Sequence, residues 1–109
     1  MRKPMLLAAT VAVTAVSITA IPALAATKTV SVKDNFFSPK SLTVKKGTKV
    51  KWSWKGSAPH NVTVTSGPVK FHSSTQTSGS FSKTFSKKGT YKIVCTIHAP
   101  GMKMTVKVT

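Results

Sequence analysis

The segment Cys95-Thr-Ile-His98-Ala-Pro-Gly-Met102 places a thiol, an imidazole and a thioether within eight residues. These are soft and borderline donors, the kind that select copper over hard cations, and two His with one Cys and a weak Met form the donor set of an electron-passing copper centre. The second imidazole has to come from elsewhere, and His60, in Pro59-His60-Asn61, stands where a Pro-broken loop enters a short strand. A Cys at a strand end and a His three residues on, around a turn, can converge on one ion. Met102, opening the next strand, approaches from a third direction; Met104, on the same strand face, is the alternative to it. Four protein donors leave no open position for a substrate, which separates a carrier from a catalytic metal site.

Taken singly, each of these residues has an ordinary explanation. A lone Cys on a strand is a small buried hydrophobe, a His beside a Pro decorates a loop, and a Met opening a terminal strand belongs to the core. Their joint occurrence is what carries weight, and cysteine arithmetic adds to it. Cys95 is the only Cys, so no intrachain disulfide can form. In an oxidising compartment a free thiol is open to disulfide exchange unless something occupies it, as a metal does. His72, in the polar stretch Phe71-His-Ser-Ser, is assigned to solvent.

The elements that must position these donors read as strands. Alternation of apolar and polar residues predicts strands over 27–33, 41–45, 48–55, 60–65, 80–85, 90–95 and 102–109, with turn signals at Lys46-Gly47, Ser66-Gly67-Pro68 and Lys87-Lys88-Gly89. The clearest is 48–55, where Val50, Trp52 and Trp54 share one face and Lys49, Lys51, Ser53 and Lys55 the other. Residues 71–79 read as a polar loop. No helical apolar period occurs after residue 25. About 6–8 short strands, punctuated at this spacing, predict an all-β fold, a small antiparallel Greek-key β-sandwich.

Length and charge narrow the function further. The 109 residues carry 17 Lys and Arg against one acid, Asp34, for a formal charge of +16. A single acid provides no carboxylate pair for glycosidase-type chemistry, and the chain is too short for a (β/α)₈ barrel. Arg2-Lys3, an apolar run over 5–21 and the exit Ala23-Leu24-Ala25 describe a secretory signal peptide over 1–25. Residues 26–109 are then the working domain, periplasmic or extracellular; an uncut leader would anchor it to the membrane instead.

The charge is unevenly spread. Residues 57–69 and 93–102, which carry His60, Cys95, His98 and Met102, contain no Lys at all. A neutral tip ringed by lysines suits docking with little desolvation, and the cationic remainder steers anionic partners in a salt-dependent way. A redox protein with an acidic surface fits, as do an anionic membrane or a cell-wall polymer. Nucleic acid does not: the chain is read as exported, residues 26–109 contain no Arg, and no binding motif is present.

An upstream His-Asn-Val, then Cys-x₂-His and a nearby Met, resembles the cupredoxins, in particular the plastocyanin, pseudoazurin and amicyanin branch. Phe37-Ser-Pro39, Leu42-x-Val44 and Gly47-x-x-Val50-x-Trp52 are similar to the N-terminal half of small bacterial members. The resemblance spans nearly all of residues 27–109. It implies one type 1 copper ion held by His60, Cys95, His98 and Met102, with Asn61 tying the His60 strand to the Cys loop. Three residues, Ala99, Pro100 and Gly101, separate His98 from Met102. Plastocyanin-like members place four there and amicyanin-like members two, so the loop is intermediate, which bears on axial geometry and potential.

The expected function is therefore an exported, monomeric one-electron carrier cycling Cu(I)/Cu(II), not an enzyme. The alternatives are a copper-sequestering or copper-delivery protein without a redox partner, and a metal-free module for anionic polymers that uses only the lysine surface.

Overall fold

The computed structural model describes residues 26–109, and the expected signal peptide over 1–25 lies outside them. Eight strands form: β1 (Thr27–Lys33), β2 (Phe36–Ser38), β3 (Ser41–Val44), β4 (Thr48–Trp54), β5 (Thr63–Ser66), β6 (Ser80–Phe85), β7 (Gly89–Val94) and β8 (Lys103–Val108). They assemble into two four-stranded sheets, β2-β1-β4-β6 and β3-β8-β7-β5. The alternation read from the sequence is what closes them over one core. Val30, Val32, Val50 and Trp52 from the first sheet are buried together with Ile93, Met104, Val106 and Val108 from the second. Among the described residues no helix is long and apolar enough to cross a membrane.

The β-sandwich and its strand number agree with expectation, but the pairing is mixed rather than antiparallel throughout. β1 runs parallel to β4, and β3 runs parallel to β8. Side-chain alternation has the same period whichever way a partner strand runs, so it says nothing about direction. Parallel neighbours need a long crossover. Here β2 and β3 supply the one between β1 and β4, and the whole chain from β4 to β7 supplies the one between β3 and β8.

Two further differences concern the ends of elements. The short β2 was not expected; it pairs antiparallel with β1 through Val32 opposite Phe37 and buries Phe37 completely. Residues 71–79 are less loop-like than their polarity suggested. His60 bridges Gln76, Thr63 bridges His72, and Phe71 packs against the rings of Trp52, Phe81 and Phe85. Lys83, on edge strand β6, lies with Nζ 5.3 Å from the Phe71 ring centroid, a cation over an aromatic face.

Three connections converge at one end. The β1–β2 turn carries Asp34, the β4–β5 connection carries His60, and the β7–β8 connection carries Cys95, His98 and Met102.

Candidate metal centre

The β7–β8 loop is shaped by its own backbone. Cys95 N–H donates to the Met102 carbonyl at 3.0 Å, His98 N–H to the Cys95 carbonyl at 3.2 Å, and Met102 N–H to the His98 carbonyl at 3.2 Å. A Pro-Gly turn between two antiparallel strands thus holds the three candidate donors in one tight loop. His60 reaches the same place from the β4–β5 connection, which crosses from one sheet to the other. Its N–H donates to the Gln76 carbonyl and its carbonyl accepts from Gln76 N–H, both at 3.0 Å, and Trp54 Nε1–H donates to that carbonyl at 3.3 Å.

These backbones bring three side-chain atoms together. His60 Nδ1 and His98 Nδ1 are 3.2 Å apart, Cys95 Sγ is 3.5 Å from His98 Nδ1, and Cys95 Sγ is 3.8 Å from His60 Nδ1. A first-row ion bonded at about 2.0 Å to nitrogen and about 2.3 Å to sulfur holds such atoms roughly 3–4 Å apart, and all three edges fall in that span. The donor chemistry agrees: two imidazoles and one thiolate suit copper. His60 and Cys95 are fully buried, whereas His98 is half-buried and faces outward on one side.

Asn61 makes the link expected of it. Its Oδ1 accepts from Thr96 N–H at 3.1 Å, and its Nδ2 donates to Thr96 Oγ1 at 2.8 Å and Thr75 Oγ1 at 3.1 Å. The residue after His60 is therefore bonded to the residue after Cys95, locking one donor loop against the other. Met102 is buried in the same loop. Met104 has another use: its sulfur accepts from Trp52 Nε1–H at 3.3 Å across the core.

Phe37 is in the core, but Phe36 beside it is 40% exposed, with Lys33 Nζ 5.9 Å from its ring centroid. His72 is exposed, its Nδ1–H donating to the Ser73 carbonyl at 3.1 Å, and stands outside the group.

Sequence reasoning missed Asp34. Its Oδ1 lies 2.7 Å from His60 Nε2. The Ser57 N–H, the His60 side chain and the Ala58 N–H hold its carboxyl down at about 2, so at neutral pH it is an anion and His60 Nε2 is the donor. The signal was available: the only acid of a very basic chain sits on a turn between two strands.

The model of the copper-binding plastocyanin/azurin family matches residues 25–109. The chain belongs to that family of copper proteins. Solved structures refine the placement to the cupredoxins on the amicyanin side. A purple cupredoxin from Nitrosopumilus maritimus is 26% identical with a TM-score of 0.67, over 75% of this chain and 99% of that one. An amicyanin variant in its Cu(I) form is 26% identical with a TM-score of 0.68, over 86% of this chain and 90% of that one. A copper-containing nitrite reductase from Thermus scotoductus SA-01 is 28% identical with a TM-score of 0.66, but 75% of this chain answers to only 22% of that enzyme. Among curated proteins no match is found.

Proposed function

We propose that the protein is an exported one-electron carrier whose single copper ion is held by His60, Cys95, His98 and Met102. The observation that carries this reading is the triangle of His60 Nδ1, Cys95 Sγ and His98 Nδ1, with edges of 3.2, 3.5 and 3.8 Å, formed by side chains from two separate connections. Copper bound there supplies a one-electron couple. The chain's contribution is to fix the donors before binding, so that little has to move between oxidation states. Burial of Cys95 and His60 keeps water from the sulfur and from the inner imidazole. His98, half-buried, is the donor whose ring reaches the surface and is the exit for the electron.

Met102 would supply the thioether donor of this proposal. Its backbone bonds to both Cys95 and His98 support that role, and the bond from Trp52 Nε1–H to the Met104 sulfur supports Met102 over Met104. Cleavage after Ala25 releases residues 26–109 as a monomeric periplasmic or extracellular domain; the charged start, apolar run and small-residue exit of residues 1–25 support this.

The partner is a redox protein with an acidic surface. Ile97 and Phe36, the large apolar residues left exposed among the described residues, belong to the β7–β8 connection and the start of β2, and the lysine-free windows between Lys55 and Lys70 and between Lys92 and Lys103 carry the site residues. Cu(II) added to the purified domain should produce an intense thiolate-to-copper charge-transfer band, followed by reversible one-electron voltammetry. Weak d–d absorption alone would remove Cys95 as a ligand and with it the type 1 assignment. Metal transfer to an acceptor apoprotein without reversible redox cycling would replace the carrier by a delivery protein.

A further inference from the structure

Asp34 is the only carboxylate side chain in the protein, and its two oxygens are occupied by one small region. Oδ1 lies 2.7 Å from His60 Nε2 and accepts from Ala58 N–H at 3.1 Å. Oδ2 accepts from Ser57 N–H at 3.0 Å and lies 3.5 Å from Ser57 Oγ. The backbone at Gly56 approaches so closely that a Cβ there would overlap the carboxylate. The turn between β1 and β2 is thus seated against the loop that delivers His60. On the far side of the same ring, Nδ1 points at Cys95 and His98.

We propose that Asp34 is the positioning residue of the copper site, holding the His60 ring with its proton on Nε2 and its Nδ1 lone pair aimed at the metal, and favouring Cu(II) over Cu(I). The inference rests on His60 being a copper ligand. An imidazole carries one proton in its neutral form, so a carboxylate that accepts from Nε2 leaves Nδ1 as the free donor. The ring is completely buried, so without Asp34 its Nε2–H would lose a charge-assisted bond. The carboxylate's negative charge, relayed through the ring, stabilises the more highly charged ion; a carboxylate behind a ligating His raises its basicity in this way. The arrangement is one-sided. Among the described residues no hydrogen bond reaches His98 Nε2, and its side-chain contacts to His60 and Cys95 are made through Nδ1.

The test compares copper-loaded wild type with Asp34→Asn and Asp34→Ala. Asp34→Asn should lower Cu(II) affinity by about ten- to hundredfold and Cu(I) affinity by much less. The potential should then rise by about 59 mV for each tenfold difference between the two losses. Asp34→Ala should act in the same direction. Equal losses for both ions with an unmoved potential would reduce Asp34 to a cap for residues 57–58 and overturn the inference while leaving the copper reading intact. Absence of the charge-transfer band in the wild type would overturn both. Nitrogen-15 NMR of wild-type Cu(I) protein needs no variant to fold: it should find the His60 proton on Nε2, and a proton on Nδ1 instead overturns the assignment.

Discussion

Phe71, Phe81 and Phe85 lie with ring centroids 5.9–6.3 Å from Trp52, and Tyr91 stands edge-on to Phe85 at 4.8 Å. Around His60 the surroundings are different: Asp34, Trp54, Gln76 and, through Asn61, Thr75 and Thr96 are joined by directed hydrogen bonds. The aromatic cluster contributes stability through area removed from water, which tolerates small shifts and similar shapes. The metal end contributes position, which tolerates neither. The seven residues of β4, about 20 Å of strand, serve both: Thr48 stands opposite Phe85, Trp52 joins the aromatic cluster, and Trp54, two residues on, donates to the His60 carbonyl. The lesson is that one short sandwich separates what keeps it folded from what makes it a site, so the two can be broken independently.

The strongest break is in the cluster. Trp52→Ala should cost about 3–5 kcal/mol of unfolding free energy, measured by denaturant titration of the metal-free protein, while the molecules still folded keep the copper band. Next is the metal itself. Copper at a hundredfold excess over its dissociation constant should add about 2.7 kcal/mol, seen as a raised melting temperature. Cys95→Ser should abolish both that gain and the charge-transfer band without unfolding the sandwich.

A smaller effect sharpens the comparison from the other side. Asn61→Ala removes the acceptor of Thr96 N–H and should cost about 1–3 kcal/mol, while also broadening the copper spectrum as the two donor loops lose their tie. Trp52→Ala should not broaden it. The smallest effect is confined to docking. Ala99→Lys, beside His98, should slow electron exchange with the partner and leave the spectrum alone; unchanged rates by stopped flow would count against a neutral contact face around His98.

Much of this division was legible in the chain. The Val50, Trp52, Trp54 alternation marks a strand with one buried face, and all three are buried. Cys95-x₂-His98 lies in a single connection, so its convergence follows from local geometry. Phe71 was misread because its neighbours His72, Ser73 and Ser74 are polar, and polarity in a window hides one ring that packs inward. β2 was missed because three residues cannot display a period.

What the sequence alone determined is the donor chemistry, the spacing of the Cys loop and the alternation that makes a sandwich, since each is a property of neighbours along the chain. Tertiary structure alone decided that Asp34 meets His60 across 26 residues, that Asn61 meets Thr96 across 35, and that Trp52 claims the Met104 sulfur across 52. It also decided which strands run parallel. Such choices depend on which turns are brought to the same end of the fold, and neither side-chain period nor local propensity encodes that.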